Sequence, residues 1–201
     1  MPVARYTVMD GDGRPVGTED LRCAPGPAGW RSFSTIETVD PEPHREVVDL
    51  AVDARWRPVR IRIDTEAHRL ILMAEGDRLV GRRDGDAVDL ALPPATELDY
   101  LSPAFNAVTA NRLTASAEID SLYIAPYTLE RSTQRQRYEL LGNDEVATPV
   151  GRFVASRWRF TAVAQGWTRD LWVAGDVVVA YEGLFELAEY EPGPRGPFPL
   201  G

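Results

Sequence analysis

Regular alternation of apolar and polar residues over long stretches constrains the fold of this chain most. It is clearest over residues 58–64, where apolar and charged side chains take turns: Val59, Ile61 and Ile63 against Arg60, Arg62 and Asp64. A period of two sends successive side chains to opposite faces of a β-strand. The pattern therefore predicts strands that are buried on one face only, as in antiparallel sheets.

Turn-forming residues separate further segments with the same pattern. Residues 47–92 are interpreted as a five-strand meander with an Asp-Gly turn at Asp84-Gly85. Further strands are expected at 4–9, 30–39, 135–142, 152–163, 167–174, 176–182 and 184–190, with a turn at Gly142-Asn143-Asp144. Residues 103–118 do not alternate and favour a helix. So many strands must curl to hide their edges, which predicts an all-β, mainly antiparallel half-barrel or barrel with short helical segments.

Length and composition indicate a globular protein, and the length fits one large all-β domain as easily as two small ones. The chain has 201 residues, of which 44% are hydrophobic and 26% charged. We expect a single barrel-like domain over residues 1–190. Residues 191–201 are rich in Pro and Gly and cannot lie in a central strand, so they are expected to form a C-terminal tail.

Net charge and hydropathy limit the classes of binding partner that are expected for this chain. A net charge of −9 without a concentrated basic face argues against nucleic acid. No apolar run approaches 18 residues and no secretory leader is evident, which predicts no membrane span and a cytoplasmic location. The expected partner is a hydrophobic small molecule, and a homodimer stays open.

Most catalytic signatures are missing from the sequence. It contains no GxSxG, HExxH, P-loop or CxxC motif, and it has no Lys for a Schiff base. The two histidines, His44 and His68, are expected in separate surface loops. We therefore predict no metal site and no cofactor.

Aromatic residues supply the candidate ligand-binding groups. Their first role is to fill the core, because each buries a large apolar area. Trp167 and Trp172 are five residues apart and are expected on opposite faces of a strand, so that one of them can line a cavity. The ligand-binding candidates are Trp56, Asn106, Tyr138, Trp158, Trp172 and Tyr181.

The segment Asp99–Leu113 resembles the stretch Thr/Ser-Pro-Phe-Thr-Asn-Thr-Leu-Pro-Ile-Arg-Arg-Leu of a bacterial family described as glycolipid-binding. Pro103, Asn106, Arg112 and Leu113 coincide with that stretch, and upstream the Trp56-Arg57 pair is similar to the end of a strand in the family. The order of Ala104 and Phe105 is swapped, and Ala110 replaces an Ile. The resemblance implies a curved antiparallel half-barrel similar to lipoprotein-carrier folds, with helical pieces in its concavity. Asn106 and Arg112 would face the interior, in a structural or a ligand-binding role.

Two functions are compatible with these features. The first is binding of a bulky polyketide-, terpenoid- or lipid-like molecule in a sheet-lined cavity, with a cofactor-free cyclase, pericyclase or isomerase reaction there. Its catalytic candidates are Tyr100, Tyr123, Tyr127 and Arg112, which would hold a carbonyl group. The alternative is a non-catalytic glycolipid- or lipid-binding protein. We favour the enzyme, because a cytosolic protein has less need to carry membrane glycolipid.

Overall fold

The computed structural model describes residues 2–26 and 28–193. Within them lie fifteen strands: β1 (Val3–Met9), β2 (Pro15–Gly26), β3 (Gly29–Thr38), β4 (His44–Asp53), β5 (Pro58–Asp64), β6 (Arg69–Glu75), β7 (Arg78–Arg83), β8 (Asp86–Ala91), β9 (Thr96–Asp99), β10 (Ala117–Ile124), β11 (Arg131–Thr148), β12 (Gly151–Ala162), β13 (Trp167–Ala174), β14 (Val177–Tyr181) and β15 (Phe185–Glu191). One helix, α1 (Pro103–Arg112), lies between β9 and β10.

All fifteen strands belong to one curved sheet. Strands β1 to β8 form a continuous antiparallel meander that runs from the middle of the sheet to one edge. The chain then crosses to the opposite edge and returns through β9 to β15, which pairs with β1. Only the pair β9–β10 is parallel among the described strands. The prediction of a mainly antiparallel, barrel-like all-β fold is confirmed.

The sheet does not close into a complete barrel. Its two edges are β8 and β9, which do not pair with each other although only residues 92–95 separate them in the chain. The inner face carries the hydrophobic core. Its most deeply buried large side chains include Tyr6, Leu50, Ile61, Ile63, Leu72 and Phe185.

Helix α1 fills the concavity. Its first eight residues, 103–110, are all buried, and it contacts β9 and β14. A short helix that is buried on every side lacks the single apolar stripe of a surface helix. The helix was expected over residues 103–118, but it ends at Arg112 because Leu113 is extended. Residues 117–124 then form β10, a strand that the sequence analysis did not predict.

The turn expected at Gly142-Asn143-Asp144 is wrong. These residues continue β11, and the register with β12 shifts between Leu140 and Gly142. Gly142 has a φ of 118°, which residues with a Cβ rarely adopt. The glycine therefore marks a bulge inside a long strand rather than its end.

Two predictions, the C-terminal tail and the single domain, are not tested by the structure. Glu191, the first residue of the expected tail, is the last residue of β15, and residues 194–201 lie outside the described residues. The single-domain division stays a prediction. The helix found in residues 2–26 and 28–193 has ten residues, and nothing in this part of the chain is a helix long and apolar enough to cross a bilayer.

Candidate functional site

A cavity of about 430 Å³ lies between the segment that leads into α1 and the wall formed by β10 to β14. The segment approaches it from one side through residues at the end of β9 and in α1. The strands approach from the other side, together with the loops that follow β12 and β14. The lining residues are Asp99, Tyr100, Leu101, Asn106, Tyr123, Gln134, Phe160, Ala162, Gln165, Trp167, Tyr181 and Leu184.

Three aromatic rings form the apolar wall of the cavity. Phe160 on β12, Trp167 on β13 and Tyr181 on β14 contact one another, with centroids 5.8 Å apart for Phe160–Trp167, 6.4 Å for Phe160–Tyr181 and 6.3 Å for Trp167–Tyr181. The rings are tilted or edge-to-face, which is the arrangement that aromatic pairs prefer. Because each ring is fixed by two others, the wall is preformed.

Strand alternation decides which tryptophan reaches the cavity. Trp167 lines it, whereas Trp172 lies on the other face of β13, where its indole Nε1 donates to Asp144 at 3.2 Å. There the guanidinium of Arg157 lies 5.4 Å from the Trp172 ring centroid. The prediction that these two tryptophans occupy opposite faces is confirmed.

Asp99 is the acidic group of the cavity. It lies at the end of β9, opposite Tyr123 of β10, and its Oδ2 accepts a hydrogen bond of 2.5 Å from Nε2 of Gln136. Burial raises the pKa of Asp99 to about 6, against the lowering effect of the hydrogen bond from Gln136. A charged carboxylate is disfavoured where little water reaches it. Asp99 is therefore mostly ionised at pH 7 and titrates near neutrality.

Phenol groups surround Asp99. Burial raises the pKa values of Tyr123, Tyr138 and Tyr181, and the negative charge of Asp99 raises each of them further. All three phenols are therefore neutral at physiological pH. They can donate hydrogen bonds to a ligand or to the carboxylate, but they cannot balance its charge.

Basic groups stay away from the Asp99 carboxylate. Within the part of the chain that the structure describes, no Arg or His lies at ion-pair distance from it. One guanidinium contacts the aromatic wall from outside the lining, that of Arg169, 5.0 Å from the Trp167 ring centroid. Arg169 donates to the backbone oxygens of Thr168 and Gly11. The cavity thus has a local negative charge without a basic lining residue.

The structure brings four of the sequence candidates together at the cavity: Tyr100, Asn106, Tyr123 and Tyr181. Two more lie directly behind its wall. The Tyr138 ring packs 5.2 Å from Phe160 and 6.4 Å from Trp158, centroid to centroid, so both support the wall from the core.

The remaining candidates lie elsewhere. Arg112 donates to Glu97 at 2.9 Å and to the backbone oxygen of Pro94, and so holds the end of α1 to β9. Trp56 stacks on Trp30 at 4.2 Å in the turn between β4 and β5. With Trp172 on the opposite face of β13, none of these three lines the cavity.

Tyr127 belongs to a second polar cluster, on the N-terminal half of the sheet. Its backbone N–H donates to Glu46 at 3.0 Å, and its ring lies 4.1 Å from that of His44. His44 in turn contacts Glu46 at 2.9 Å and is only 11% exposed, so the expectation of a surface histidine is wrong. Tyr100 also donates its hydroxyl proton to Glu46, which ties the cavity segment to β4.

Four lining residues, Asp99, Gln134, Phe160 and Trp167, were not among the candidates predicted from the sequence. Trp167 had a usable signal, since its alternation with Trp172 placed one of the two on the inner face. Gln134 and Gln136 also carried one, because they are polar residues in phase with the buried Tyr138. Asp99 had none, since an acidic residue at the end of a short strand is common on protein surfaces.

Comparison with protein-family models finds no match for this sequence, and comparison with curated proteins finds none. Two solved structures are similar to it. One is a DUF1089 family protein from Pseudomonas aeruginosa, 24% identical over 84% of this chain and 90% of that chain, with a TM-score of 0.58. The other is a β-barrel-like protein of the domain of unknown function DUF1849 from Brucella abortus, 8% identical over 98% and 97% of the chains, with a TM-score of 0.54. At these identities, the similarity shows that the chain has their barrel-like fold.

Proposed function

We propose that this protein binds a bulky hydrophobic small molecule in the cavity between the α1 segment and strands β10 to β14. The observation that carries the proposal is the preformed aromatic wall of Phe160, Trp167 and Tyr181 around a space of about 430 Å³. This volume falls within the roughly 300–1,000 Å³ of small-molecule sites.

The polar groups of the cavity support binding at a defined orientation. Asn106, Tyr123, Gln134 and Asp99 converge on one space that is otherwise apolar. A few fixed polar groups in an apolar pocket are the usual means by which proteins orient a ligand. Polyketide-, terpenoid- and lipid-like molecules, including the lipid part of a glycolipid, offer the matching combination of apolar bulk and isolated polar atoms.

A second function, cofactor-free isomerisation or cyclisation, is favoured by one observation. Asp99 has a pKa of about 6 and lies opposite Tyr123 in the same cavity. A carboxyl group that titrates near the working pH is suited to accept and return a proton. The neutral phenol of Tyr123 would donate a hydrogen bond to a carbonyl oxygen as negative charge develops there.

Tryptophan fluorescence tests the binding function, because Trp167 lines the cavity and Trp172 does not. Long-chain alcohols and polycyclic hydrocarbons are titrated into wild type, Trp167→Phe and Trp172→Phe. We expect the same saturable change in wild type and Trp172→Phe, and its loss in Trp167→Phe. A ligand at one hundred times its Kd should also add about 2.7 kcal/mol to the free energy of unfolding.

A panel that changes neither fluorescence nor melting temperature contradicts the binding function. A response that persists in Trp167→Phe and disappears in Trp172→Phe places the ligand on the other face of β13 instead. Chromatography after incubation of chelator-treated protein with each bound compound tests the second function. If every bound compound is recovered unchanged, the second function is contradicted and only the binding function remains.

A further inference from the structure

We propose that the ligand is an organic cation, a bulky apolar amine or quaternary ammonium compound, whose nitrogen lies between Asp99 and the aromatic rings of the cavity. This inference rests on the proposed binding function and names the chemical class of its ligand. Its basis is the charge and ring composition of the cavity lining.

The Asp99 carboxylate has no basic partner within the described residues. Two other inward acidic groups do have partners of that kind: Glu97 pairs with Arg112, and Glu46 contacts His44 and accepts from Tyr100. Asp99 accepts hydrogen bonds from two neutral donors, the amide of Gln136 and the backbone N–H of Tyr100, and its half-buried carboxylate faces the cavity. A charge that is partly removed from water is costly unless it is paired, so a positively charged ligand would supply the missing partner.

The aromatic lining of the cavity also favours a cation. The faces of Trp, Tyr and Phe rings attract cations, and cages of such rings recognise alkylammonium groups. The rings of Tyr123, Phe160, Trp167 and Tyr181 all line the space that Asp99 faces. The Trp167 ring already has the Arg169 guanidinium 5.0 Å from its centroid, so it takes part in a cation–π contact in the protein itself.

The lining disfavours a negatively charged ligand. No lining residue is basic, and the Arg169 guanidinium outside the lining already contacts the Trp167 ring and the backbone oxygens of Thr168 and Gly11. A fatty acid or a phosphorylated lipid would therefore bring a second negative charge beside Asp99. Like charges at close range in a water-poor site repel strongly. The net charge of −9 on the whole chain attracts cations and repels anions as well.

The titratable groups around Asp99 define the expected pH dependence. Tyr123 on β10, Tyr138 on β11 and Tyr181 on β14 stay neutral between pH 5 and 8, and the guanidinium of Arg169 on β13 lies on the Trp167 ring. On its own strand, Glu97 also titrates near neutrality, since burial raises its pKa to about 7 against the charge of Arg112. Because Asp99 has a pKa of about 6, the affinity for an amine should be highest above that pH, where Asp99 is ionised. The affinity should fall as the pH drops below 6 and Asp99 becomes protonated.

The test compares dodecylamine, dodecyltrimethylammonium, dodecanol and dodecanoic acid, each below its micelle concentration, by calorimetry at pH 7.5 and pH 5. The variants are Asp99→Asn, which keeps an acceptor oxygen for Gln136, and Asp86→Asn, which removes the same charge at an exposed site on β8. We expect both cations to bind wild type about tenfold more tightly than dodecanol at pH 7.5. Asp99→Asn should abolish that preference and its pH dependence, and Asp86→Asn should retain both.

Equal binding of cations and alcohol, or tighter binding of the acid, overturns the inference and leaves the proposed function standing. A pH dependence that survives in Asp99→Asn assigns it to Glu97 and also overturns the inference. If none of the four compounds binds wild type, both the inference and the proposed binding function are contradicted. If Asp99→Asn does not fold, the inference is tested in wild type by comparing dodecylamine with dodecanol at the two pH values. A preference for the amine at pH 7.5 that weakens at pH 5 supports it, and equal binding overturns it.

Discussion

Buried acidic side chains are the unusual residues of this protein. Glu19 on β2 is completely buried, and its Oε1 accepts a hydrogen bond of 2.6 Å from Ser102. Its Oε2 finds no partner within the described part of the chain. Burial raises the pKa of Glu19 to about 8, against the lowering effects of hydrogen bonds from Ser102 and Ser34. Glu19 is therefore protonated at neutral pH, so this buried carboxyl group is uncharged.

Replacement of Glu19 should change how stability depends on pH. The folded-state pKa of about 8 lies above the usual 4.5, so the folded protein holds an additional proton between these values. This stability is fully present below pH 4.5 and is lost as the pH rises through 8, at about 1.4 kcal/mol per pH unit. Glu19→Gln cannot ionise. From pH 5 to pH 9, the free energy of unfolding of wild type should therefore fall by up to about 4 kcal/mol more than that of Glu19→Gln. Urea denaturation at the two pH values measures this difference.

Glu37→Gln is the matched control for this measurement. Glu37 lies on the neighbouring strand β3 with its side chain 61% exposed, so its replacement should leave the pH dependence of wild type unchanged. If wild type and Glu19→Gln lose the same free energy over this pH range, Glu19 is ionised in the folded protein. Glu97 and Asp99 have raised pKa values as well, so some loss should remain in every variant.

The segment from β9 through α1 is the element that creates the site. It crosses the inside of the sheet and is held at both walls: Asp99 accepts from Gln136 of β11, whereas Tyr100 and Ser102 donate to Glu46 of β4 and Glu19 of β2. The cavity is the space that this segment leaves on the side of β10 to β14. Hydrogen bonds thus hold in place the segment that supplies four of the twelve lining residues, Asp99, Tyr100, Leu101 and Asn106.

Loss of the Ser102 hydroxyl should loosen this segment. Ser102 is the N-cap of α1, where its Oγ accepts from the Ala104 N–H and donates to Glu19. Ser102→Ala removes the cap and also the hydrogen bond that Ser102 donates to Oε1 of the buried Glu19. We expect a loss of about 2 kcal/mol in the free energy of unfolding, and weaker binding of any cavity ligand. Ser132→Ala, at an exposed position on β11, should stay within about 0.5 kcal/mol of wild type. Equal stabilities of the two variants would show that this anchor is dispensable.

Elements of the fold were predictable mainly where apolar and polar residues alternate in the sequence. Strand β5 follows the period of two, and it was predicted with its observed bounds, residues 58–64. Strand β10 was missed, because its burial is irregular around the buried Ser121. The cavity could not be predicted as a set of residues. Alternation tells which side chains share a face, but the position of Asp99 opposite Tyr123 depends on a parallel pairing that only the folded chain reveals.

At the scale of the whole molecule, the unclosed sheet separates two regions with different tasks. The meander β1 to β8 supplies the buried acidic anchors Glu19 and Glu46, and β10 to β14 supply the cavity wall. The two regions meet where β1 pairs with β15, and they remain open to each other at β8 and β9. A strand with a free edge leaves alternate backbone groups without a partner, which invites pairing with another strand.

Hydrogen exchange should reveal the two edges. Strand β8 pairs with β7 only, so about half of its amides point away from the sheet, whereas β4 has a neighbour on each side. In dilute protein, the outward amides of β8 and β9 should exchange at least about tenfold faster than those of β4, because they open without breaking a ladder. Exchange monitored by mass spectrometry or NMR over residues 86–99 and 44–53 measures this difference. Equal protection in dilute solution would contradict the open sheet and indicate a closed barrel. Protection that appears only as the protein concentration rises would instead indicate that edges of two copies pair, which is the homodimer that the sequence left open.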